Sequence, residues 1–163
     1  MKSTMMLFQP RSLKLGEKVY IKDDDYEWLP ATVTETNPEW SDRIKVVIAL
    51  PDDWMDGTLH ESDKKAMEIN KEERWVNLND YKDRSLPLQN DTEARDMADL
   101  RHLHEAAILY QTKQRHLAKK PYTRVGEIII AMNPCQWISD LYSKEQQHLY
   151  AKNFVWNGKT ELF

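Results

Sequence analysis

Cysteine is almost absent: Cys135 is the single thiol in 163 residues. That excludes an internal disulfide framework and any cysteine-cluster zinc site. The sequon Asn90-Asp91-Thr92 is therefore expected to be idle. Surplus basic charge is missing too, because the net charge is −4 with 31% charged residues. No global positive field invites nucleic acid or anionic lipid. Long apolar runs are also lacking, and the richest, "EIIIAM", is far too short to span a bilayer. The opening "MKSTMMLFQP" has neither the apolar stretch nor the cleavage site of a signal peptide. A cytoplasmic protein without a membrane span is the expectation.

Glycine is scarce, at four residues. One of them opens Gly158-Lys159-Thr160, the ending of a phosphate-binding loop. Such a loop needs G-x-x-x-x-G-K-[ST], because backbone N–H groups of a glycine-rich turn wrap the phosphates. The first glycine position is Asn153. The preceding "YSKEQQHLYAKNF" reads as a helix rather than a buried strand. The triplet is a chance match.

Two periods are present in what remains. Residues 15–82 alternate like half-buried strands. Val19 and Ile21 share a face, as do Leu29, Ala31 and Val33, then Ile44, Val46, Ile48 and Leu50, then Val76 and Leu78. Pro30 suggests an edge strand. Short strands with Gly16 and acidic turns between them predict a small antiparallel β-barrel over 13–84. A charged surface insertion interrupts it at about 51–74, with a helical turn near "DKKAMEI". Asp23-Asp24-Asp25, and Asp52, Asp53 and Asp56, miss calcium-loop spacing and read as solvated turns. Trp28, Trp40, Trp54 and Trp75 would line an aromatic peptide groove or pack in the core or at the rim.

A polar linker is expected at 85–93. After it the period becomes helical. Met97, Leu100, Leu103, Ala107 and Tyr110 form one stripe, and Pro121 ends the helix. His102 and His104 face different sides, while His104 and His116 lack a carboxylate at ligand spacing. No metal site is expected. Gly126 marks a turn or bulge, and Glu127 to Met132 reads as a strand buried on both faces. Ser143 and Gln146 form a capping box for the last helix.

The strand end carries the chemistry. Asn133 offers a donor and an acceptor, Pro134 fixes the turn, and Trp137 and Tyr142 present flat faces to a planar ring. Open α/β sheets bind ligands at such carboxyl ends. Spacing alone favours an ordinary strand end with its aromatics packed on the next helix. No catalytic residue is identified.

Residues 94–152 nevertheless resemble the opening of the myosin motor domain. The features are D-M-x-D-L-x-x-L-x-E-x-x-I-L, then Y-T-x-x-G, then I-x-I-A-x-N-P, then L-Y before a helix, in that order. The first half is similar to the SH3-like barrel that precedes the motor in many myosin heavy chains, through G-E-x-V-Y-I and W-x-P-A-x-V. The fold class implied is α+β: an SH3-like barrel over 13–84, then over 94–163 the α/β start of a P-loop motor.

The resemblance implies an actin-based motor that hydrolyses ATP with Mg²⁺. It puts Asn133, Pro134, Trp137 and Tyr142 on the adenine side of the nucleotide. Cys135 departs from the aromatic residue usual in the family, Trp137 from a basic or polar one. The loop to Tyr142 is one residue longer. P-loop, switches, actin-binding surface and lever arm would follow the matched region, so contacts with actin filaments and light chains would lie outside this chain. ATPase activity would belong to the cytoskeleton-associated parent, with no tight nucleotide binding by these residues alone. A rival reading from another class is a stand-alone SH3-like module that binds a protein partner.

Overall fold

A computed structural model describes residues 12–36, 42–51, 67–91 and 94–152. Trp40, Trp54, Asp52, Asp53, Asp56 and Gly158-Lys159-Thr160 lie outside the described residues. The chain divides into two compact units, Met1–Gln89 and Asn90–Phe163.

The first unit is an antiparallel meander of β1 (Lys18–Asp23), β2 (Glu27–Thr36), β3 (Arg43–Ile48) and β4 (Glu73–Asn77), hydrogen-bonded in that order. Side chains alternate across a strand. The aligned apolar sets therefore fall on one face: Val19 and Ile21, then Leu29, Ala31 and Val33, then Ile44, Val46 and Ile48, all buried. Burying each such aliphatic side chain contributes roughly 1.5–3 kcal/mol. The β2–β3 register shifts between Val33 and Glu35, a bulge that bends the strand.

A flat sheet would hold β1 and β4 about 14 Å apart, three spacings of ~4.8 Å. Yet Arg74 Nη1 on β4 lies 2.7 Å from Asp23 Oδ2 on β1. The Lys22 N–H also donates to the Tyr81 hydroxyl at 2.9 Å. The sheet is therefore rolled, in keeping with an SH3-like β-region. Arg74 also grips Glu72, at 2.9 Å. Asp23 Oδ1 accepts from the Asp25 and Tyr26 N–H groups, so the acidic turn is tied down from within.

Two expectations need correction. Pro30 sits on β2, an interior strand rather than an edge. Its partner Tyr20 directs its own N–H to Pro87, so the missing N–H of Pro30 faces the β3 side. The β3 side still reaches it, the Ala49 N–H donating to the Pro30 carbonyl at 3.0 Å, so proline forgoes the reciprocal bond only, just beyond the last matched pair Ala31–Ile48.

The second correction is the linker. Its first half belongs to the sheet: Leu86 is buried and Leu88 bridges antiparallel to Val19. The Tyr20 N–H donates to the Pro87 carbonyl at 2.8 Å and the Gln89 N–H to that of Lys18 at 3.0 Å. Gln89 Nε2 adds bonds to the Val19 and Ala31 carbonyls. Leu86 and Leu88 alternate like strand residues, but the polar residues around them mask so short a signal.

Trp28 is half-buried, its ring 6.4 Å from that of Tyr81, with Lys22 Nζ 5.9 Å from both centroids. Trp75 stands exposed on β4, opposite Lys45. Of the insertion, residues 67–74 are described: a helical turn at 67–69, then the start of β4 at Glu73.

In the second unit the helical stripe is interrupted. A 3-10 turn, Met97–Asp99, buries Met97, and α1 runs from Glu105 to Leu117. His104 is extended and caps α1, its Nδ1 accepting from the Ala107 N–H at 3.1 Å. His104 is therefore structural, fixing the start of α1. Leu103, expected on the buried stripe, is exposed just before the cap.

A hairpin follows, β5 (Tyr122–Val125) and β6 (Ile128–Ala131), turning through Gly126 and Glu127. Gly126 has φ +61, which only glycine adopts without a steric cost at that turn position. The expectation of a strand buried on both faces fails: Ile128 is 67% exposed and Ile129 40%. A two-stranded ribbon gives each strand one neighbour, and its apolar residues report a need for cover rather than its presence. α2 (Lys144–Lys152) closes the described region. The Gln146 N–H donates to Ser143 Oγ at 3.2 Å. The reciprocal half of the capping box is not made: the Ser143 N–H donates to the Asp140 carbonyl instead, and Gln146 Oε1 has no partner among the described residues.

Candidate functional site

The site lies where β6 ends. The Met132 N–H still donates to the Pro121 carbonyl at 2.8 Å, after which Asn133 and Pro134 turn the chain away. Asn133 Oδ1 accepts from the Cys135 N–H at 2.9 Å, an Asx turn that mimics a backbone turn. Cys135 sits at φ +50, the left-handed region that costs a residue with a Cβ about 1–2 kcal/mol. With Oδ1 engaged, Asn133 is left with its amide Nδ2, a donor that makes no hydrogen bond among the described residues.

The returning end of the loop is held at Tyr142. Its hydroxyl meets that of Tyr122, and its carbonyl accepts from Gln147 Nε2 at 3.0 Å. The Ser143 N–H donates to the Asp140 carbonyl, leading straight into α2. Between the two ends lies a concavity of about 380 Å³, and Asn133, Pro134, Trp137 and Tyr142 all line it. Tyr122 and Ile138 add to the wall. Trp137 is 85% exposed, so its ring faces are open to a ligand.

Tyr122 is a lining residue that sequence reading missed. Its signal was its place in Y-T-x-x-G, but only the hairpin register, Tyr122 opposite Ala131, carries it to the strand end. Its backbone is anchored from α1. Arg115 is buried, and its Nη2 and Nε donate to the Tyr122 carbonyl at 2.8 and 3.2 Å.

The hairpin turn is anchored separately by Asp96, whose Oδ1 accepts from the Gly126 and Ala98 N–H groups at 2.8 and 2.9 Å. Arg124 Nε lies 3.2 Å from Asp96 Oδ2. The Gly126 and Ala98 N–H groups, with Arg124, hold the Asp96 carboxyl below the usual carboxylate range.

Among the described residues no aspartate, glutamate, lysine, arginine or histidine lines the concavity. Its chemistry is that of flat apolar faces and the side-chain amides of Asn133 and Gln136, suited to gripping a planar heteroaromatic ring rather than to acid–base work. Its volume is within the range of small-molecule sites, about 300–1,000 Å³. A purine base fits this donor set. Phosphates and Mg²⁺ do not: among the described residues no three histidine, cysteine, aspartate or glutamate side chains come together to hold a metal ion.

Residues 94–161 match the family model described as myosin head (motor domain). Over 105 residues the chain is 34% identical to Myosin-7 of Arabidopsis thaliana, covering 61% of this chain and 6% of that protein. It is 26% identical over 144 residues to Myosin-2 of Saccharomyces uvarum, covering 86% of this chain and 8% of that one. With Myosin-2 of Saccharomyces cerevisiae the identity is 36% over 78 residues, 45% of this chain and 5% of the relative. The chain thus spans 8% or less of the length of these three proteins. Residues 94–161 thus carry the N-terminal part of a myosin motor domain, with an SH3-like β-region ahead of them.

Proposed function

We propose that this chain supplies the adenine-side wall of the nucleotide site in an actin-based, ATP-driven cytoskeletal motor. The supporting observation is the convergence of Asn133, Pro134, Trp137 and Tyr142 on one concavity inside the myosin head match. In this reading Trp137 and Tyr142 press against the ring, Asn133 Nδ2 donates to a ring nitrogen, and Pro134 keeps the turn rigid. ATP with Mg²⁺ supplies the phosphoryl group whose transfer drives a motor. These residues bind and orient its base and exclude water from that side.

Positioning of phosphates by a P-loop, Mg²⁺ and a placed water accounts for nearly all of phosphoryl-transfer catalysis. No G-x-x-x-x-G-K-[ST] occurs in this sequence. Residues 1–163 alone are therefore expected to bind adenine nucleotides weakly and not to turn them over. Actin filaments and light chains are partners of other parts of a full-length myosin, which operates in the cytoplasm on the cytoskeleton. Among the described residues no helix is long and apolar enough to cross a membrane.

The test is an NMR titration of the chain with ATP, followed residue by residue. Saturable shifts confined to 121–142, weakened by Asn133→Ala and indifferent to Mg²⁺, are expected. Shifts in β1–β4 alone, or none, would overturn the assignment of the wall. Mg²⁺-dependent hydrolysis abolished by Asn133→Ala would overturn the claim of inactivity.

A further inference from the structure

We infer that Tyr122 is a positioning residue whose hydroxyl clasps that of Tyr142 and so holds the aromatic wall at a fixed distance from the Asn133-Pro134 turn. The inference rests on reading the concavity as a base-binding wall.

The loop between Asn133 and Tyr142 bears only apolar and small polar side chains on the concavity, and Tyr142 is 58% exposed. An exposed ring on a loop samples several rotamers unless its end is tied. Here the tie is the Tyr122–Tyr142 hydroxyl pair.

Tyr122 is itself fixed from two sides. Its backbone pairs with Ala131, two residues before Asn133, and its carbonyl is held in the fork of buried Arg115. The clasp thus links the two ends of the loop through one rigid side chain. The pair spans the concavity from the strand side to the helix side, and both residues line it. Tyr122 acts on the ligand through Tyr142, which is why the phenol oxygen matters and the ring alone does not suffice.

The experiment measures adenosine affinity of the full chain by NMR for wild type, Tyr122→Phe, Tyr142→Phe and the double variant. Each single change removes the hydroxyl pair while keeping both rings. Each is expected to weaken adenosine by roughly three- to tenfold, the range of one neutral hydrogen bond, with the double variant no weaker than either single one. Amide shifts in α1 and the midpoint of unfolding should stay at wild-type values, which a general structural role would not allow. Unchanged affinity in Tyr122→Phe, or additive losses in the double variant, would overturn the clasp. Should wild type fail to bind adenosine, the base-binding reading falls. The clasp is then decided by cross-relaxation between the Tyr122 and Tyr142 rings, present if it exists and absent if it does not.

Discussion

β3 and β6 are built from the same kind of residue and meet opposite surroundings. In β3, Val46 and Ile48 have no exposed surface, because β2 and β4 flank the strand and the rolled sheet closes over its apolar face. In β6, the run Ile128-Ile129-Ile130 pairs among the described residues with β5 alone, and Ile128 keeps two-thirds of its surface in water. Apolar content states what a strand requires. Whether the requirement is met depends on how many other segments the same unit brings to it, and the first unit flanks β3 with two strands where the second pairs β6 with one.

The largest expected effect that would break this comparison concerns the two cores. Leu29→Ala empties a fully buried position and should cost about 2–5 kcal/mol. Ile128→Ala trims an exposed side chain and should stay within about 0.5 kcal/mol. Urea unfolding followed by tryptophan emission, beside native-state hydrogen exchange, measures both. Equal costs, or equal protection of β3 and β6 amides, would mean that the contrast in burial does not govern stability. The exposed hairpin has a second expected consequence: Ile128→Lys should improve solubility without a loss of stability.

A smaller effect concerns the ion pair that joins the ends of the rolled sheet. Partial burial of Asp23 opposes its ionisation. Arg74 and the N–H groups of Asp25 and Tyr26 outweigh that, so its folded pKa lies below the ordinary value of 3.8. A depressed carboxylate stabilises the fold above its unfolded pKa and loses that contribution as pH falls through the folded value. The first unit should therefore weaken in acid, starting near pH 4. Asp23→Asn should flatten that part of the stability curve and cost about 1 kcal/mol at pH 7, a value reduced for partial solvent screening. An unaltered acid limb in Asp23→Asn would show that the pair does not govern closure.

The smallest effect concerns the two helix starts in the second unit. His104→Ala removes the side-chain acceptor at the α1 cap and should cost about 1 kcal/mol. Ser143→Ala removes the corresponding acceptor at α2. Only half of that capping box is formed, so the loss should be smaller and appear as faster amide exchange in the first turn of α2.

The strand sets of the first unit were legible because one face of each strand is buried, which imposes a period of two that no helix shares. The Asn133-Pro134 turn and the aromatics after it were legible as residue types able to hold a planar ring. His104 was not legible as a cap, since histidine is an uncommon choice and the helical stripe runs on past it in both directions. Leu86 and Leu88 were hidden by their polar neighbours.

The amino-acid sequence by itself determined the alternation of β1–β4, the break at Gly126 and the family resemblance, because each follows from local sterics or from short-range order of residue types. The tertiary structure alone decided that Arg74 reaches Asp23, that Pro30 is tolerated inside a sheet, that β6 is uncovered and that Tyr122 meets Tyr142. These depend on which distant segments come to lie side by side, and long-range register is not encoded in any one stretch of the chain.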